Sequence, residues 1–190
     1  MPFKKVVVAG GGVLGSQIAF QCAVKGFDVT IWLRSEGSIA RCKPKLAKNK
    51  EAYLNAVEDM KKGIIVRGLY DGTGFNLAIA DKLISQIENA SLSIKLETDL
   101  KKAVEDCDIL IESMGENKED KIAFYKTVAP LLPEKTVIVT NSSTMLPSTF
   151  AKFTGRPEKY LSLHFANEIW KNNTAEIMGQ EKTEKKYYDE

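Results

Sequence analysis

A glycine turn at the end of a short apolar run constrains this chain more than any other feature. Val6-Val-Val-Ala9 has the pattern of a buried parallel strand, and Gly10-x-Gly12-x-x-Gly15 follows at once. From Val13 to Lys25 apolar residues recur at helical spacing (Leu14, Ile18, Ala19, Cys22, Ala23), and Gly26 ends the helix. Asp28-Val-Thr-Ile-Trp-Leu33 reads as a second strand. A β–turn–α–β unit of about 30 residues is the half-unit that binds a mononucleotide. Gly10 permits the tight turn, Gly12 lets the backbone approach a pyrophosphate, and Gly15 lets the helix pack close to the sheet. Free N–H groups at the helix start, at Val13 and Leu14, bind the phosphates. Gly10, Gly12, Val13, Leu14 and Gly15 are therefore candidate cofactor-binding residues. A glycine turn alone is weak evidence, but the strand before it and the helix after it supply the confirming context.

Residues 38–90 break the rhythm. Two helical patterns, Ile39–Lys61 and Phe75–Ala90, are joined by a link holding Gly63, Gly68, Gly72 and Gly74, with no strand between them. This reads as a helical hairpin inserted after the second strand and standing off the main body. Alternation then resumes. Strands are expected at Ser93–Glu97, Asp108–Glu112, Thr136–Thr140, 160–164 and Thr174–Met178. Between them the pattern predicts a short helix Asp99–Glu105 introduced by Thr98, a helix capped by Asn117 and stopped at Pro133, and a short helix near Pro147–Phe153. Gly179–Thr183 and 184–190 read as a turn and the first turns of a last helix. The expected fold is α/β: a Rossmann-type doubly wound, mostly parallel sheet with an inserted helical hairpin, one domain over 1–190.

Composition excludes some classes. Lys+Arg 27 against Asp+Glu 25 leaves a net charge of +2, which gives no reason to expect nucleic acid or membrane as a partner. No apolar stretch approaches the roughly eighteen residues of a membrane span, and the N-terminus lacks the pattern of a signal peptide. Cys22, Cys42 and Cys107 are odd in number and form no C-x-x-C pair, as expected for reduced thiols in a cytoplasmic protein. No metal site is expected.

At the end of the second strand a dinucleotide fold usually carries an acidic residue for the adenosine ribose hydroxyls. Leu33 holds that place, followed by Arg34 and Ser35. Leucine cannot bind a diol, whereas Arg34 can pair with a 2′-phosphate, so residue chemistry favours NADP(H) over NAD(H), or else weak NAD(H) binding. Glu36 swinging in to replace the acid is the alternative.

His164 is the one histidine, placed at a strand end with Glu176 twelve residues on. Its near-neutral pKa suits a base; a satisfied histidine at a strand end is the equally weighted alternative. Here a resemblance becomes specific. Leu163-His-Phe-Ala-Asn167, Thr140-Asn-Ser-Ser-Thr144, Ile111-Glu-Ser-Met-Gly-Glu-Asn117 and the glycine loop, in their order, resemble the NAD-binding domain of the 3-hydroxyacyl-CoA dehydrogenase family over essentially the whole chain. The resemblance implies NAD(H) as cofactor, His164 as catalytic base, Glu176 as its orienting carboxylate and Ser143 as the serine that hydrogen-bonds the substrate 3-oxygen. It implies cofactor contacts for Glu116, Lys121 and Asn167 near the nicotinamide. The hairpin resembles the family's protruding one, and its Arg41, Lys43, Lys45, Lys48 and Lys50 either meet CoA phosphates or form a solvated face.

The implied reaction is hydride transfer between C3 of a 3-hydroxyacyl-CoA and the nicotinamide, giving a 3-oxoacyl-CoA. A non-catalytic dinucleotide-binding or redox-sensing module is the alternative on the same fold. Departures from the family pattern are Leu33, and Ala166 and Glu168, where Phe and Pro are more usual. The family also has a C-terminal helical domain that forms the homodimer, closes the cleft and supplies an asparagine. Nothing here corresponds to it, so the chain is expected to be a fragment that turns over substrate poorly.

Overall fold

The computed structural model describes residues 3–189 apart from Asp71 and Thr73. Met1, Pro2 and Glu190, the ends of the expected 1–190 unit, and Asp71 and Thr73 in the glycine-rich link lie outside the described residues.

Among the described residues seven strands form one sheet: β1 (Lys5–Ala9), β2 (Asp28–Trp32), β3 (Lys95–Glu97), β4 (Ile109–Glu112), β5 (Val137–Thr140), β6 (Tyr160–Phe165) and β7 (Ala175–Met178). Their order is β3-β2-β1-β4-β5-β6-β7. All neighbours pair in parallel except β7, which runs antiparallel to β6. The period of two along each strand divides the core between the two faces. Val6 and Val8 join Val29, Ile31, Ile109, Ile111, Val137, Val139 and Leu161 on one face. Val7 and Ala9 join Leu110, Ile138 and Tyr160 on the other. Both faces are covered, which is why the strands read as unbroken apolar runs.

The first face is covered by α1 (Val13–Val24), α2 (Glu36–Lys61) and α3 (Leu77–Ser93). Side chains of Ser35 and Asn76 accept from backbone N–H groups at the starts of α2 and α3. The hairpin does not stand off the main body. Tyr53, Ala56, Val57, Met60, Ala80, Leu83 and Ile87 are buried in the same core as α1. The Tyr53 hydroxyl donates to Gln21 Oε1 at 2.5 Å, and its ring lies 5.0 Å from that of Phe20 and 5.4 Å from that of Trp170. The reason is amphipathicity: an isolated hairpin would leave this apolar stripe in water.

On the opposite face lie α4 (Leu100–Ala103), α5 (Lys118–Val128) and 3₁₀ turns at Ala129–Leu131, Pro147–Thr149 and Ala151–Phe153. Three expectations are corrected here. Asp99, not Thr98, caps α4 through its carboxylate. Although Asn117 does cap α5, the helix ends at Val128 and tightens into a 3₁₀ turn around Pro130, ahead of Pro133. The expected helix near 147–153 is two 3₁₀ turns. The last element is α6 (Lys186–Asp189). Among the described residues, no helix is long and apolar enough to cross a membrane.

Because the hairpin shares the main core, Ile87→Ala, at a fully buried position on α3, should destabilise the whole domain. The expected loss is about 2–5 kcal/mol in one cooperative urea transition. A separate early transition for α2 and α3 would show the hairpin to be an independent unit.

Candidate active site

The glycine loop crosses the C-terminal end of β1. Gly10 has φ +116, and a Cβ there would collide with the Ser113 carbonyl. At Gly15 a Cβ would collide with the Gly10 carbonyl. These contacts hold α1 against the strand ends. Gly12 is different: its Cβ would meet nothing within 4 Å. It also opens α1, whose first turn has no side-chain cap and no acidic residue. Uncapped N–H groups facing open space suit a pyrophosphate in chemistry and in room.

The loop is one wall of a cleft of about 490 Å³ that gathers Gly12, Val13, Leu14, Gly15, Glu116, Ser143, His164 and Asn167. These residues come from the C-terminal ends of β1, β4, β5 and β6, where α/β sheets bind ligands. A second cleft of about 270 Å³ shares Gly12, Ser113, Met114 and Gly115 with it and extends past β2 to Arg34, Ser38 and Arg41. The two form one groove across the glycine loop, with Arg34 at the far end from His164.

His164 and Glu176 are register partners across β6 and β7, and the His164 Nδ1 lies 3.1 Å from Glu176 Oε2. The antiparallel pairing puts two residues twelve apart side by side. A carboxylate can only accept, so Nδ1–H donates to Glu176, and in the neutral imidazole Nε2 is then the acceptor. The Glu176 side chain is 66% exposed and that of His164 27%, so the pair stands at the rim of the cleft. Phe165 N donates to Asn141 Oδ1 at 3.0 Å, tying the histidine strand to the end of β5. Glu168 takes φ +55 and its N–H donates to Gln17 Oε1 at 2.9 Å. A proline at this position could do neither.

Lys121 is not on the cleft wall. Its side chain is 1% exposed and lies beneath Glu116, bonded to Glu112 at 2.7 and 2.8 Å and to Glu116 at 3.3 Å. Glu112, fully buried at the end of β4, also accepts from Thr140 Oγ1 at 2.8 Å, Tyr125 OH at 3.2 Å and Met114 N at 2.7 Å. Glu116 accepts from Ser142 Oγ and Thr144 Oγ1, both at 2.6 Å. Burial raises the Glu116 pKa, but the two hydroxyls and the Lys121 ammonium outweigh it and hold the carboxyl below its ordinary value. The network joins the loop after β4 to the loop after β5, and the second loop carries Ser143. Glu112, Ser142 and Thr144 had no assigned role in the sequence. The spacing Lys121, Phe124, Tyr125, Val128 is one helical stripe, all buried, and it is the signal that places Lys121 inward.

The basic run is divided. Arg41 and Lys45 line the groove near Arg34. Lys45 and Lys48 line a separate cleft of about 520 Å³ with Asn49 and Trp170. Lys50 pairs with Glu88 at 2.5 Å.

The family model described as 3-hydroxyacyl-CoA dehydrogenase, NAD binding domain, matches residues 5–190. A probable 3-hydroxybutyryl-CoA dehydrogenase of Bacillus subtilis is 28% identical over 89% of this chain and 50% of its own length. A solved structure of a diketoreductase that carries out substrate-directed dual catalysis of dicarbonyl compounds is 38% identical with a TM-score of 0.78, over 100% of this chain and 59% of its own. The (S)-3-hydroxybutyryl-CoA dehydrogenase of Ralstonia eutropha shares the fold, with a TM-score of 0.74 at 21% identity, over 98% of this chain and 58% of that one. The chain spans about half the length of the curated relatives it matches.

Two outcomes are expected from this geometry. Gly12→Val, entering open space, should leave the urea midpoint unchanged yet weaken NADH binding at least about tenfold in a fluorescence titration. Unchanged affinity would remove the pyrophosphate from this loop. Glu112→Gln leaves the Lys121 charge buried and should cost about 3–5 kcal/mol in chemical denaturation. A loss below about 1 kcal/mol would show the network to be incidental.

Proposed function

This chain belongs to the 3-hydroxyacyl-CoA dehydrogenase family as an NAD-binding domain, and from that premise we propose that it transfers a hydride between C3 of a 3-hydroxyacyl-CoA and NAD(H). The observation that carries the reading is the His164–Glu176 pair at 3.1 Å, on a cleft shared by His164, Ser143 and the glycine loop. A binder without chemistry has no use for a base held this way at the nicotinamide end of the groove.

The bound nicotinamide supplies a hydride acceptor in oxidation and a hydride donor in reduction. The chain's own groups do the rest. The N–H groups of Val13, Leu14 and Gly15 hold the pyrophosphate, while Glu116 and Asn167 border the nicotinamide end. In oxidation the C3–H bond breaks with its electron pair as the hydroxyl proton passes to His164 Nε2, leaving a carbonyl at C3. Ser143 donates a hydrogen bond to that oxygen. Glu176 holds the imidazole tautomer and stabilises the imidazolium that forms. Lys121 positions Glu116 from beneath.

A second reading is favoured by the 38% identity to the diketoreductase over the whole chain. A 3-oxoacyl thioester and a 1,3-dicarbonyl compound present the same pair of carbonyls, so the same base and serine serve a substrate without CoA. The divided basic run fits this reading as well as it fits a CoA contact.

The proposal carries an acyl-CoA partner, a homodimer formed through a C-terminal helical domain of the family type, and a cytoplasmic setting. Cys22, Cys42 and Cys107 are unpaired, which accords with the last.

The test is reduction of acetoacetyl-CoA and of a CoA-free 1,3-dicarbonyl ester, followed by loss of NADH absorbance. His164→Ala should lower the rate by about 10²–10⁴-fold with NADH affinity within about threefold of the parent. Undiminished turnover would remove His164 from the base role. Exclusive use of the ester would establish the second reading over the first.

A further inference from the structure

We propose that the groove beside β2 accepts a phosphate on the 2′-oxygen of the adenosine ribose, so that this NAD-binding domain takes NADP(H) at least as tightly as NAD(H). The inference rests on the dinucleotide reading of the glycine loop.

A ribose 2′,3′-diol needs an acceptor for its hydroxyl protons, and a carboxylate at the end of the second strand is the usual one. Leu33 stands there with 4% of its surface exposed. Its side chain is tucked under the glycine loop: a Cβ on Gly11 would lie 2.7 Å from Leu33 Cδ2 and 2.7 Å from Cys42 Sγ. The position is therefore packed into the floor of the groove, which it lines with an apolar side chain that can accept nothing from a ribose. Neither glutamate near the strand end takes over. Glu36, in the first turn of α2, is exposed and does not line the groove. The Glu97 carboxylate is engaged by the N–H groups of Thr98 and Asp99, both at 2.8 Å.

What lines this end of the groove is cationic. Arg34, Arg41 and Lys45 face it with Ser38, and Asp120 is the one carboxylate among the lining residues. Asp120 Oδ2 stands 3.9 Å from Arg34 Nη1, both side chains being mostly exposed, so the pairing is loose and readily exchanged. Arg41 Nη2 donates to Ser38 Oγ at 2.9 Å, and Ser38 Oγ lies 3.1 Å from Ser35 Oγ. This holds the second guanidinium against the start of α2, the end that favours an anion.

Three cations against one carboxylate, itself drawn toward Arg34, favour the cofactor that carries the extra anion. Guanidinium and ammonium groups are donors only and cannot accept from a diol. A phosphate offers the acceptors and charge they lack, and arginine matches it with paired N–H groups.

The experiment is a titration of the protein with NADH and NADPH separately, following nicotinamide fluorescence, on the parent chain and on Arg34→Gln/Arg41→Gln. Both arginines are exposed, so the fold should be unaffected, and binding is read without substrate. In the parent, NADPH should bind with a Kd no higher than that of NADH. In the double variant NADPH should weaken by at least about tenfold, as expected for lost charge-assisted hydrogen bonds, with NADH changed less than about twofold. Tighter NADH binding by the parent would overturn the proposal, as would an NADPH affinity that survives the double substitution. Failure of both nucleotides to bind would instead overturn the dinucleotide reading, and this inference with it.

Discussion

Glu112 and Lys121 meet where almost no water reaches, at the end of the central strand β4, and the architecture of the cleft hangs from that pair. Removing two charges from water costs several kcal/mol per ion, so such a pair persists only when its other hydrogen-bonding positions are filled. Here they are filled by Thr140, Tyr125, Met114 and Glu116. Those partners belong to three pieces of the groove's frame. Thr140 ends β5, Tyr125 lies on the buried stripe of α5, and Met114 and Glu116 form the loop that faces the glycine turn. Satisfying one buried carboxylate thus brings three elements into register. The hydroxyls of Ser142 and Thr144 extend the same network to the loop carrying Ser143.

Close backbone packing does the corresponding work on the other side of the groove. Gly10 and Gly15 let the turn, α1 and the Ser113 carbonyl approach within distances no side chain permits. Gly12 leaves the space above the turn open. The hairpin adds support, since Tyr53 and Gln21 lock α2 to α1, and Gly68 N donates to the Trp170 carbonyl at 2.9 Å. The segment after β6 is thereby clamped between α1 and the hairpin, and it is the segment that leads into β7 and Glu176.

Much of this was legible in the residues. The strand–turn–helix unit, the sheet's apolar strands and the Asn117 cap all follow from short-range rules, and the motif residues Gly12, Glu116, Ser143, His164 and Asn167 do share one cleft. Other parts were not legible. Lys121 was expected to touch the cofactor, although its place on the stripe with Phe124, Tyr125 and Val128 points inward. Glu112 reads as the polar end of a strand until Lys121 is seen beneath it. The hairpin's amphipathic faces were visible, but not that α1 would receive them. Leu33 was visible as a departure, while its burial against Gly11 and Cys42 was not.

Sequence alone settled what depends on neighbouring residues: where glycine permits a turn, where an apolar run must be buried, and where a polar side chain can cap a helix. These are steric and hydrogen-bonding choices made within a few residues of each other. Tertiary structure decided what depends on distant segments meeting. The antiparallel register of β7 sets Glu176 beside His164, the inward face of α5 buries Lys121 under Glu116, and α2 brings Arg41 to the groove where Arg34 stands. No local rule specifies those encounters, because each is fixed by sheet order and by which buried charge or apolar face must be covered by a partner far along the chain.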